Sequence, residues 1–261
     1  DRGGQVGYSL VSSRRELSGS ISKAYKASRH SRVVIEPFVD GSEYNVVAFS
    51  PDGSEPTIFI AERKRISSTI PVAVEHTASL QRDDEGLATL REAMSHVFKA
   101  VCPSGGVAFA QFILGESSPP ELIDLGVRLP GGMMDVVVER SIGVDVAGIE
   151  LRRVLKMEPV VGWRGTEATE VVCRFALGPP RGLPIGPIPD GLDRRAADEL
   201  NNLKVSVFRY SDSTEVRPVR VGNDRVWACL AKDDVSGRSL HERLDDAEVV
   251  LANLHRRIVR D

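Results

Sequence analysis

The sequence predicts an α+β fold in which antiparallel strand pairs alternate with amphipathic helices. Segment 43–49 is joined to 57–64 by the turn Pro51-Asp52-Gly53, and segment 107–114 is joined to 121–125 by a Ser-Ser-Pro-Pro turn at 117–120. Stretches with apolar residues at helical spacing lie before, between and after these pairs. Short turns join strands that pair antiparallel, and apolar residues three and four positions apart form one face of a helix.

The remaining elements follow from the same two patterns. Helices are predicted at 15–29, from Asp83 to about Val101, and at 133–142, 144–156 and 237–259. Additional strands are predicted at 8–11, which follows a glycine-rich turn, and at 32–39, 169–176, 205–210 and 225–231. A change of pattern near Gly162 indicates a separate C-terminal lobe.

Composition excludes several classes of protein. With 261 residues, 41% hydrophobic and 27% charged, the chain is typical of a globular protein with a sizeable core. A net charge of −3 and 5% aromatic residues argue against a nucleic-acid binder. No apolar run approaches the ~20 residues of a membrane span, and no signal segment is evident at the N-terminus. We therefore expect a cytoplasmic protein without a membrane partner.

The cysteines and most histidines carry no signal of chemistry. Cys102, Cys173 and Cys229 are odd in number and far apart, which indicates neither a disulfide framework nor a zinc site. They are expected to fill the core. The histidines without ligand spacing are expected to be surface or capping residues: His30, His96, His241 and His255.

The most informative segment is Glu121–Gly132. A predicted strand carries Asp124, and Arg128 follows four residues later, just before Pro130-Gly131-Gly132. A carboxylate can hold a metal ion, a guanidinium binds phosphate bidentately, and glycines let the backbone approach a ligand. By itself this pattern is more often a structural ion pair at a strand end.

Two further segments make the functional interpretation stronger. The N-terminus carries the turn Asp1-Arg2-Gly3-Gly4-Gln5-Val6-Gly7, whose glycines permit backbone N–H groups to surround phosphates. Segment 33–46 places Glu36-Pro37-Phe38-Val39 between two predicted strands, with Glu43 at the start of the second. Such a linker leaves backbone donors and acceptors free for the edge of an adenine.

Together the three segments resemble the ATP-grasp superfamily, and most of all its carboxylate–amine ligase branch, which includes the L-amino acid ligases. The resemblance runs from residue 1 to about 160 and more loosely to the end. It implies two lobes with antiparallel sheets that grip a nucleotide: a small glycine-rich lobe at 1–40, a large lobe at 41–160 with the metal and phosphate site, and a C-terminal lobe at 161–261. Since family members carry a substrate-binding domain and a lysine-bearing strand ahead of the glycine-rich turn, we expect a longer polypeptide.

The resemblance also implies the roles of individual residues. Gly3, Gly4 and Gly7 would close over the phosphates of ATP, and Lys64 is a further phosphate candidate. At the hinge that follows Glu36, Pro37 would offer its carbonyl and Val39 its N–H to adenine; proline keeps the acceptor that this role needs. Glu43 would bind the ribose hydroxyls. Arg128 would stabilise an acyl-phosphate and the tetrahedral species that follows it.

The sequence departs from the family pattern at the metal site. The family uses one carboxylate on each of two adjacent strands and an asparagine two residues beyond the second. Here these positions hold Gln111, Asp124 and Gly126. Asp124 with Gln111 can hold one Mg²⁺, because this ion commonly takes one or two carboxylates together with substrate phosphates. The Glu-x-x-His spacing of the family is also altered, since His76 directly follows Glu75.

Two functions from different classes remain open at this point. The first is an ATP- and Mg²⁺-dependent ligase that joins small-molecule carboxylate and amine substrates into an amide, with a homodimer as a possible assembly. The second is a degenerate ATP-grasp module that binds nucleotide or a partner without catalysis. Gln111 and Gly126 favour the second function, and Arg128 favours the first.

Overall fold

The structure of the chain is a computed structural model that describes residues 6–78, 85–115, 118–158, 168–233 and 237–260. The helices in these ranges are α1 (Arg14–Ala27), α2 (Glu85–Val101), α3 (Met134–Ile142), α4 (Val146–Val154), α5 (Arg194–Asn202) and α6 (Leu240–Arg260). The strands are β1 (Ser42–Ser50), β2 (Thr57–Arg65), β3 (Ala73–Ala78), β4 (Gly106–Leu114), β5 (Glu121–Gly126), β6 (Val171–Leu177), β7 (Gly186–Pro187), β8 (Val205–Arg209), β9 (Glu215–Val216) and β10 (Arg225–Lys232). The α+β prediction is confirmed.

One eight-stranded sheet organises the molecule, with the strand order β5-β4-β1-β2-β3-β6-β10-β8. Every neighbouring pair in it is antiparallel. Among the described strands, the pairing of β3 with β6 is the only one that joins strands from before and after residue 160. The strands predicted for the C-terminal lobe are therefore hydrogen-bonded into the same sheet as those of the large lobe. Strands β7 and β9 form a separate two-stranded ladder.

Alternating side chains divide the core between the two faces of the sheet. On one face Val47, Phe49 and Phe59 pack with residues of α3 and α4. On the other face Val46 and Ala48 pack against α2, and α5 and α6 cover β6, β8 and β10. This is the period of two that an extended backbone imposes on its side chains. The face that carries Val47 and Phe49 also carries the cleft described below.

Helix α2 shows how the sequence pattern becomes packing. Its buried residues Leu87, Leu90, Met94 and Phe98 follow a spacing of three and four, which places them on one side of the helix. Burial of each such side chain contributes about 1.5–3 kcal/mol. No helix in the described part of the chain has the length and hydropathy that crossing a bilayer requires.

Two predicted strands are wrong. Residues 8–11 and 32–39 have the side-chain pattern of strands, but neither segment is assigned as a strand. A strand exists only where a neighbouring backbone supplies ladder hydrogen bonds, and no described strand pairs with either segment. Both segments line the cleft instead. The other predicted elements are confirmed within about three residues, apart from the start of α2, since Asp83 and Asp84 lie outside the described residues.

The sequence pattern predicts neither strand β3 nor helix α5, because polar residues obscure the apolar spacing of both. Strand β3 has Glu75 and His76 in its middle, which hides its alternation. Helix α5 is polar and buries only Ala196 and Leu200, although Asp193 caps its N-terminus by accepting the N–H of Ala196 at 2.7 Å. One histidine prediction is also wrong. His255 is fully buried and accepts a hydrogen bond from Trp227 Nε1 at 3.0 Å.

Candidate functional site

A cleft of about 740 Å³ lies between the N-terminal segment 7–39 and the β5–β4–β1–β2 end of the sheet. Its volume falls in the range of ~300–1,000 Å³ that small-molecule sites occupy. The N-terminal wall is formed by residues 7–11, one side of α1 and residues 33–39. The sheet contributes Glu43, Arg63, Arg65, Gln111, Ile113 and residues 121–123. Six residues predicted to bind ATP or metal thus line one cavity: Gly7, Glu36, Pro37, Val39, Glu43 and Gln111.

Gly7 has a positive φ of 86°. A Cβ atom there would lie 2.8 Å from the Cβ of Ala27, so the turn packs directly against the end of α1. The segment after the turn is fixed by Lys23, whose ammonium donates to the Tyr8 carbonyl at 2.7 Å and to the Ser9 hydroxyl at 3.2 Å. Gly3 and Gly4, predicted to contact phosphate, lie outside the described residues.

The predicted adenine hinge is an extended segment along the cleft wall. In the described residues no hydrogen bond occupies the carbonyl of Pro37 or the N–H of Val39. An adenine edge needs one acceptor and one donor, and these two groups supply one of each. Phe38 between them is 48% exposed, an apolar side chain of a size that can lie against a base.

Glu43 is held by two cations on the next strand. Its carboxylate accepts hydrogen bonds from Arg63 Nη1, and Arg65 Nε lies 3.5 Å from its second oxygen. The backbone before Glu43 explains why a glycine, Gly41, stands two residues ahead of it. Gly41 has φ of 149°, and a Cβ there would lie 2.4 Å from the carbonyl oxygen of Leu114, which is backbone and cannot move aside. Glu43 therefore enters the cleft already engaged with Arg63 and Arg65, and a ribose would share it with them.

Arg63 carries positive charge into the buried side of the cleft. Burial lowers the pKa of Arg63, while the Glu43 carboxylate opposes this shift. Its Nη2 donates to the Pro71 carbonyl at 3.0 Å. The guanidinium stays protonated, because the arginine side chain is not deprotonated in proteins. It adds to the attraction of this cleft for an anionic ligand.

Gln111 and Asp124 lie directly opposite each other on β4 and β5, as the sequence predicts. Asp124 is exposed on the edge strand. Gln111 donates from Nε2 to Asn45 Oδ1 at 3.0 Å, and Asn45 Nδ2 lies 3.1 Å from His76 Nδ1. With amide nitrogens as donors throughout, this chain leaves His76 with its proton on Nε2. The oxygen Oε1 of Gln111 takes no part in these two hydrogen bonds.

Arg128 follows β5 and folds back over it. Its guanidinium carbon lies 5.3 Å from the centroid of the Phe109 ring, and Nη1 donates to the Leu129 carbonyl at 2.9 Å. It forms no ion pair with any described residue, so the structural ion pair that the sequence left open is not formed. A Cβ on Gly126 would lie 2.9 Å from Arg128 Nε. The absent side chain at 126 therefore gives the guanidinium the space in which it lies.

Lys64 is not among the described residues that line the cleft, so its role as a phosphate candidate stays a prediction. Neighbouring strand residues face opposite sides of a sheet, and Lys64 faces away from Arg63 and Arg65. Its ammonium lies 2.7 Å from Glu75 Oε1. On that face Glu75 also pairs with Arg174 at 2.7 Å, and His241 of α6 lies 3.2 Å from its carboxylate. Lys64 is part of a structural ion-pair cluster beneath α6.

The sequence matches no protein-family model and no curated protein. Solved structures match over most of the chain. An L-amino acid ligase from Bacillus licheniformis is 16% identical with a TM-score of 0.69, over 92% of this chain and 58% of that one. A phosphoribosylglycinamide synthetase from Anaerococcus prevotii is 14% identical with a TM-score of 0.63, over 94% of this chain and 62% of that one. An N5-carboxyaminoimidazole ribonucleotide synthetase in an ADP complex is 14% identical with a TM-score of 0.63, over 95% of this chain and 57% of that one.

These structures are ATP-grasp carboxylate–amine ligases. The chain has the ATP-grasp fold. The predicted fold and resemblance are confirmed by this likeness. The chain spans between 57% and 62% of the length of these three structures.

Within the ATP-grasp fold, the donor set at β4–β5 fits a single hard cation. No group of three or more His, Cys, Asp or Glu residues that could enclose a metal ion occurs among the described residues. Asp124 and Oε1 of Gln111 supply one charged and one neutral oxygen. Mg²⁺ accepts such sparse protein ligation, because it keeps water and phosphate oxygens as its remaining ligands. The residues present fit one Mg²⁺ bound chiefly through a nucleotide.

The sequence does not predict two residues that lie beside the candidate site residues. Asn45 joins Gln111 to His76 across β4, β1 and β3, and Arg225 lies beside His76 at the start of β10. The alternation of β1 could have placed Asn45 on the face of Glu43. Nothing in the sequence places Arg225, since its neighbours Phe175 and Tyr210 come from other strands.

Proposed function

We propose that this chain is the nucleotide-binding and C-terminal part of an ATP-dependent ligase that joins a carboxylate to an amine. ATP would lie in the cleft, with adenine against Pro37 and Val39 and the ribose near Glu43. Three structures with the same fold and the corresponding activities in their names support this assignment. An amino-acid-like acid is the substrate class we favour.

The chemistry takes place in two steps. A carboxylate oxygen of the acid attacks the γ-phosphorus of ATP, the bond to the β-phosphate oxygen breaks, and ADP leaves. The amine nitrogen then forms a bond to the acyl carbon, the acyl–oxygen bond to phosphate breaks, and the nitrogen loses a proton. Mg²⁺ held by Asp124 and Gln111 would offset the charge on the phosphates during both steps.

Arg128 would bind the transferred phosphoryl group. Its guanidinium has no carboxylate partner in the described residues and is oriented by the Phe109 ring and the Leu129 carbonyl. A guanidinium fixed before the reaction stabilises developing charge without a reorganisation cost. Glu43, by contrast, is neutralised by Arg63 and Arg65, so it adds little repulsion toward a polyphosphate.

The observation that carries the proposal is the arrangement at the end of β4–β5. The strand pair β4–β5 borders the cleft and carries Asp124 opposite Gln111, and Arg128, which forms no ion pair with a described residue, follows two residues after β5. A binding module without turnover has no need for an exposed, unpaired Arg128 at this place. The same arrangement also defines which substitution tests it.

Calorimetric titration of ATP with and without Mg²⁺, on the wild type and Asp124→Ala, is the decisive experiment. We expect binding that requires Mg²⁺ and is weakened strongly by Asp124→Ala. Asp52→Ala, on the hairpin turn between β1 and β2, is the matched control for the loss of one exposed carboxylate. Binding that is indifferent to metal and to Asp124 would instead support a degenerate module.

Turnover is tested separately, because binding alone does not distinguish a ligase from a module. Release of ADP is measured with pooled amino acids as acids and amines, using the longest form of the protein that can be produced. We expect release above background that Arg128→Met abolishes. No release above background, with intact Mg²⁺-dependent ATP binding, would overturn the ligase assignment.

A further inference from the structure

Arg225 has an unusual environment for a cation. Its guanidinium carbon lies 4.4 Å from the centroid of Phe175 and 4.5 Å from that of Tyr210, so two aromatic rings hold it. Nε donates to the Gly222 carbonyl at 2.8 Å and Nη2 to the Tyr210 hydroxyl at 2.9 Å. No carboxylate pairs with it in the described part of the chain. Its position is fixed, and Nη1 is the nitrogen without a hydrogen bond to a described residue.

A partly buried cation without an anion is costly in free energy. Burial lowers the pKa of Arg225, and the Tyr210 and Cys173 side chains partly oppose this shift. Arg63 is a second cation in the same electrostatic neighbourhood, since the positive charges of both arginines act on His76. Arg63 is paired with Glu43, so Arg225 is the cation of this region that no described carboxylate offsets.

His76 presents a second donor to the same place. Its ring is 2% exposed, and Nδ1 is taken by the amide of Asn45. The remaining nitrogen, Nε2, has no partner among the described residues and lies 3.3 Å from the position that a Cβ of Gly132 would occupy. Because Gln111 donates to Asn45 and Asn45 donates to His76, Nε2 carries the ring proton.

The two donors converge at Gly132. The Cβ position of this glycine is 3.7 Å from Arg225 Nη1 and 3.3 Å from His76 Nε2. Gly132 has a positive φ of 67° and no side chain, so no Cβ stands between the backbone of residue 132 and the two nitrogens. It belongs to the loop that begins with Arg128, the residue assigned to the phosphoryl group. A ligand beside Gly132 would therefore be adjacent to the place of phosphoryl transfer.

We propose that Arg225 Nη1 and His76 Nε2–H bind the carboxylate of the acid substrate beside Gly132. The proposal rests on the proposed ligase function and adds a site for its second ligand. Two N–H donors match the two oxygens of one carboxylate, and one positive charge matches its single negative charge. A phosphate dianion would need more donors and more charge. Asn45 is then a positioning residue that keeps the proton on the correct nitrogen of His76.

The test uses acetate as the probe and acetamide as its neutral isostere. Nitrogen-15 NMR follows the His76 ring and the Arg225 guanidinium while each probe is added. We expect a saturable shift with acetate and none with acetamide. Arg225→Met should weaken acetate binding at least tenfold, and His76→Asn, which keeps the contact to Asn45 but removes the Nε2 donor, by about threefold.

Three further variants keep the result interpretable if Arg225→Met does not fold. Gly132→Ala places a methyl group in the site without removing a charge, and it should weaken acetate binding as strongly. Arg225→Lys keeps the charge but not the planar fork, and it should recover part of the affinity. Lys99→Met removes a cation from the surface pair with Glu55, far from the site, and should have no effect.

Each outcome decides one question. Acetate binding that is indifferent to Arg225, His76 and Gly132 would overturn the proposal. Preferential binding of inorganic phosphate over acetate would overturn the carboxylate assignment and indicate a phosphate site. Mg²⁺-dependent ATP binding without any acetate site would leave the ligase function standing and the present proposal refuted. An acetate site without ATP binding would support the carboxylate site and refute the proposed ligase function.

Discussion

Gln111 donates its side-chain N–H to the carbonyl oxygen of Asn45 at 3.0 Å. The glutamine is therefore not a passive replacement of a metal-binding carboxylate. Its amide nitrogen sets the orientation of Asn45, and Asn45 sets the tautomer of His76. The residue at the metal position and the proposed carboxylate site are connected by two hydrogen bonds.

Gln111→Glu should reverse the direction of both hydrogen bonds in this series. An ionised glutamate only accepts hydrogen bonds, so Asn45 must turn its nitrogen toward residue 111 and its oxygen toward His76. The ring must then donate from Nδ1. The neutral ring thereby loses the proton on Nε2, or it gains a second proton with a raised pKa. Nitrogen-15 shifts of His76 measure this directly.

The wild type should show a protonated Nε2 and an unprotonated Nδ1 at neutral pH. In Gln111→Glu, either the reverse pattern or two protonated nitrogens is expected. Asp124→Asn is the control, because it changes a charge opposite Gln111 without entering the hydrogen-bond chain. An unchanged wild-type pattern in Gln111→Glu would refute the connection.

Arg128→Lys should lower the rate of ADP release by about a hundredfold, since a lysine cannot reproduce a bidentate contact with a phosphoryl group. Lys64→Met should leave the rate unchanged, because its ammonium faces Glu75 on the other side of the sheet. Steady-state kinetics of both variants provide the comparison. A loss of rate in Lys64→Met equal to that in Arg128→Lys would indicate that Lys64 acts on the phosphates after all.

Glu75→Gln should lower the free energy of unfolding by about 3–5 kcal/mol, because it removes the buried carboxylate that pairs with the buried Arg174. Glu75 is 3% exposed, and Arg174 beside it is 7% exposed. Asp245→Asn, at the outer end of the same cluster with a side chain 69% exposed, should cost at most about 1 kcal/mol. Urea denaturation distinguishes the two. Equal losses would mean that burial does not control the energy of this cluster.

Stability should fall as the pH is lowered from about 6.5. Burial and the charges of Arg63 and Arg225 lower the pKa of His76 to about 3. The unfolded chain therefore takes up this proton first, and the folded state loses up to about 1.4 kcal/mol per pH unit between the two pKa values. Denaturation curves between pH 7 and pH 5 test the slope. His76→Asn should remove most of it.

A second loss should follow below pH 4.5. Burial acts to raise the pKa of Glu75, but hydrogen bonds from Lys64 and Arg174 lower it to about 2. The contribution of the ionised carboxylate is complete above the unfolded pKa and is lost as the pH falls toward 2. Glu75→Gln should flatten this part of the profile and leave the part due to His76. A profile with the same slope in both variants would contradict both assignments.

The sequence was sufficient where a site depends on neighbours in the chain. The turn at 117–120 predicts that Gln111 and Asp124 lie on adjacent strands, and they are direct partners. The hinge at Glu36–Val39 borders the cleft as expected, although its flanking segment is not a strand. Strand pattern describes side chains only, whereas a strand also needs a partner backbone, which the sequence does not specify.

Sequence reasoning failed where a site depends on pairing between distant strands. Asn45 and His76 are 31 residues apart. Arg225 lies close to Gly132 although the two residues are distant in the sequence. The position of Lys64 also depended on which face of β2 borders the cleft. Alternation separates Lys64 from Arg63 and Arg65, but only the pairing with β1 and β3 decides which of them face a ligand.

The pairing of β3 with β6 has a consequence for how alternative arrangements of this chain are excluded. Glu75 is opposite Arg174, and His76 is opposite Cys173. A slip by one residue would exchange the two faces of β3. It would put the carboxylate under the cleft and the imidazole beneath α6, beside Lys64. Such a misaligned sheet would remove the buried one of the two carboxylates that pair with Arg174. The ion pair between Glu75 and Arg174 therefore stabilises the correct register and also disfavours the wrong one.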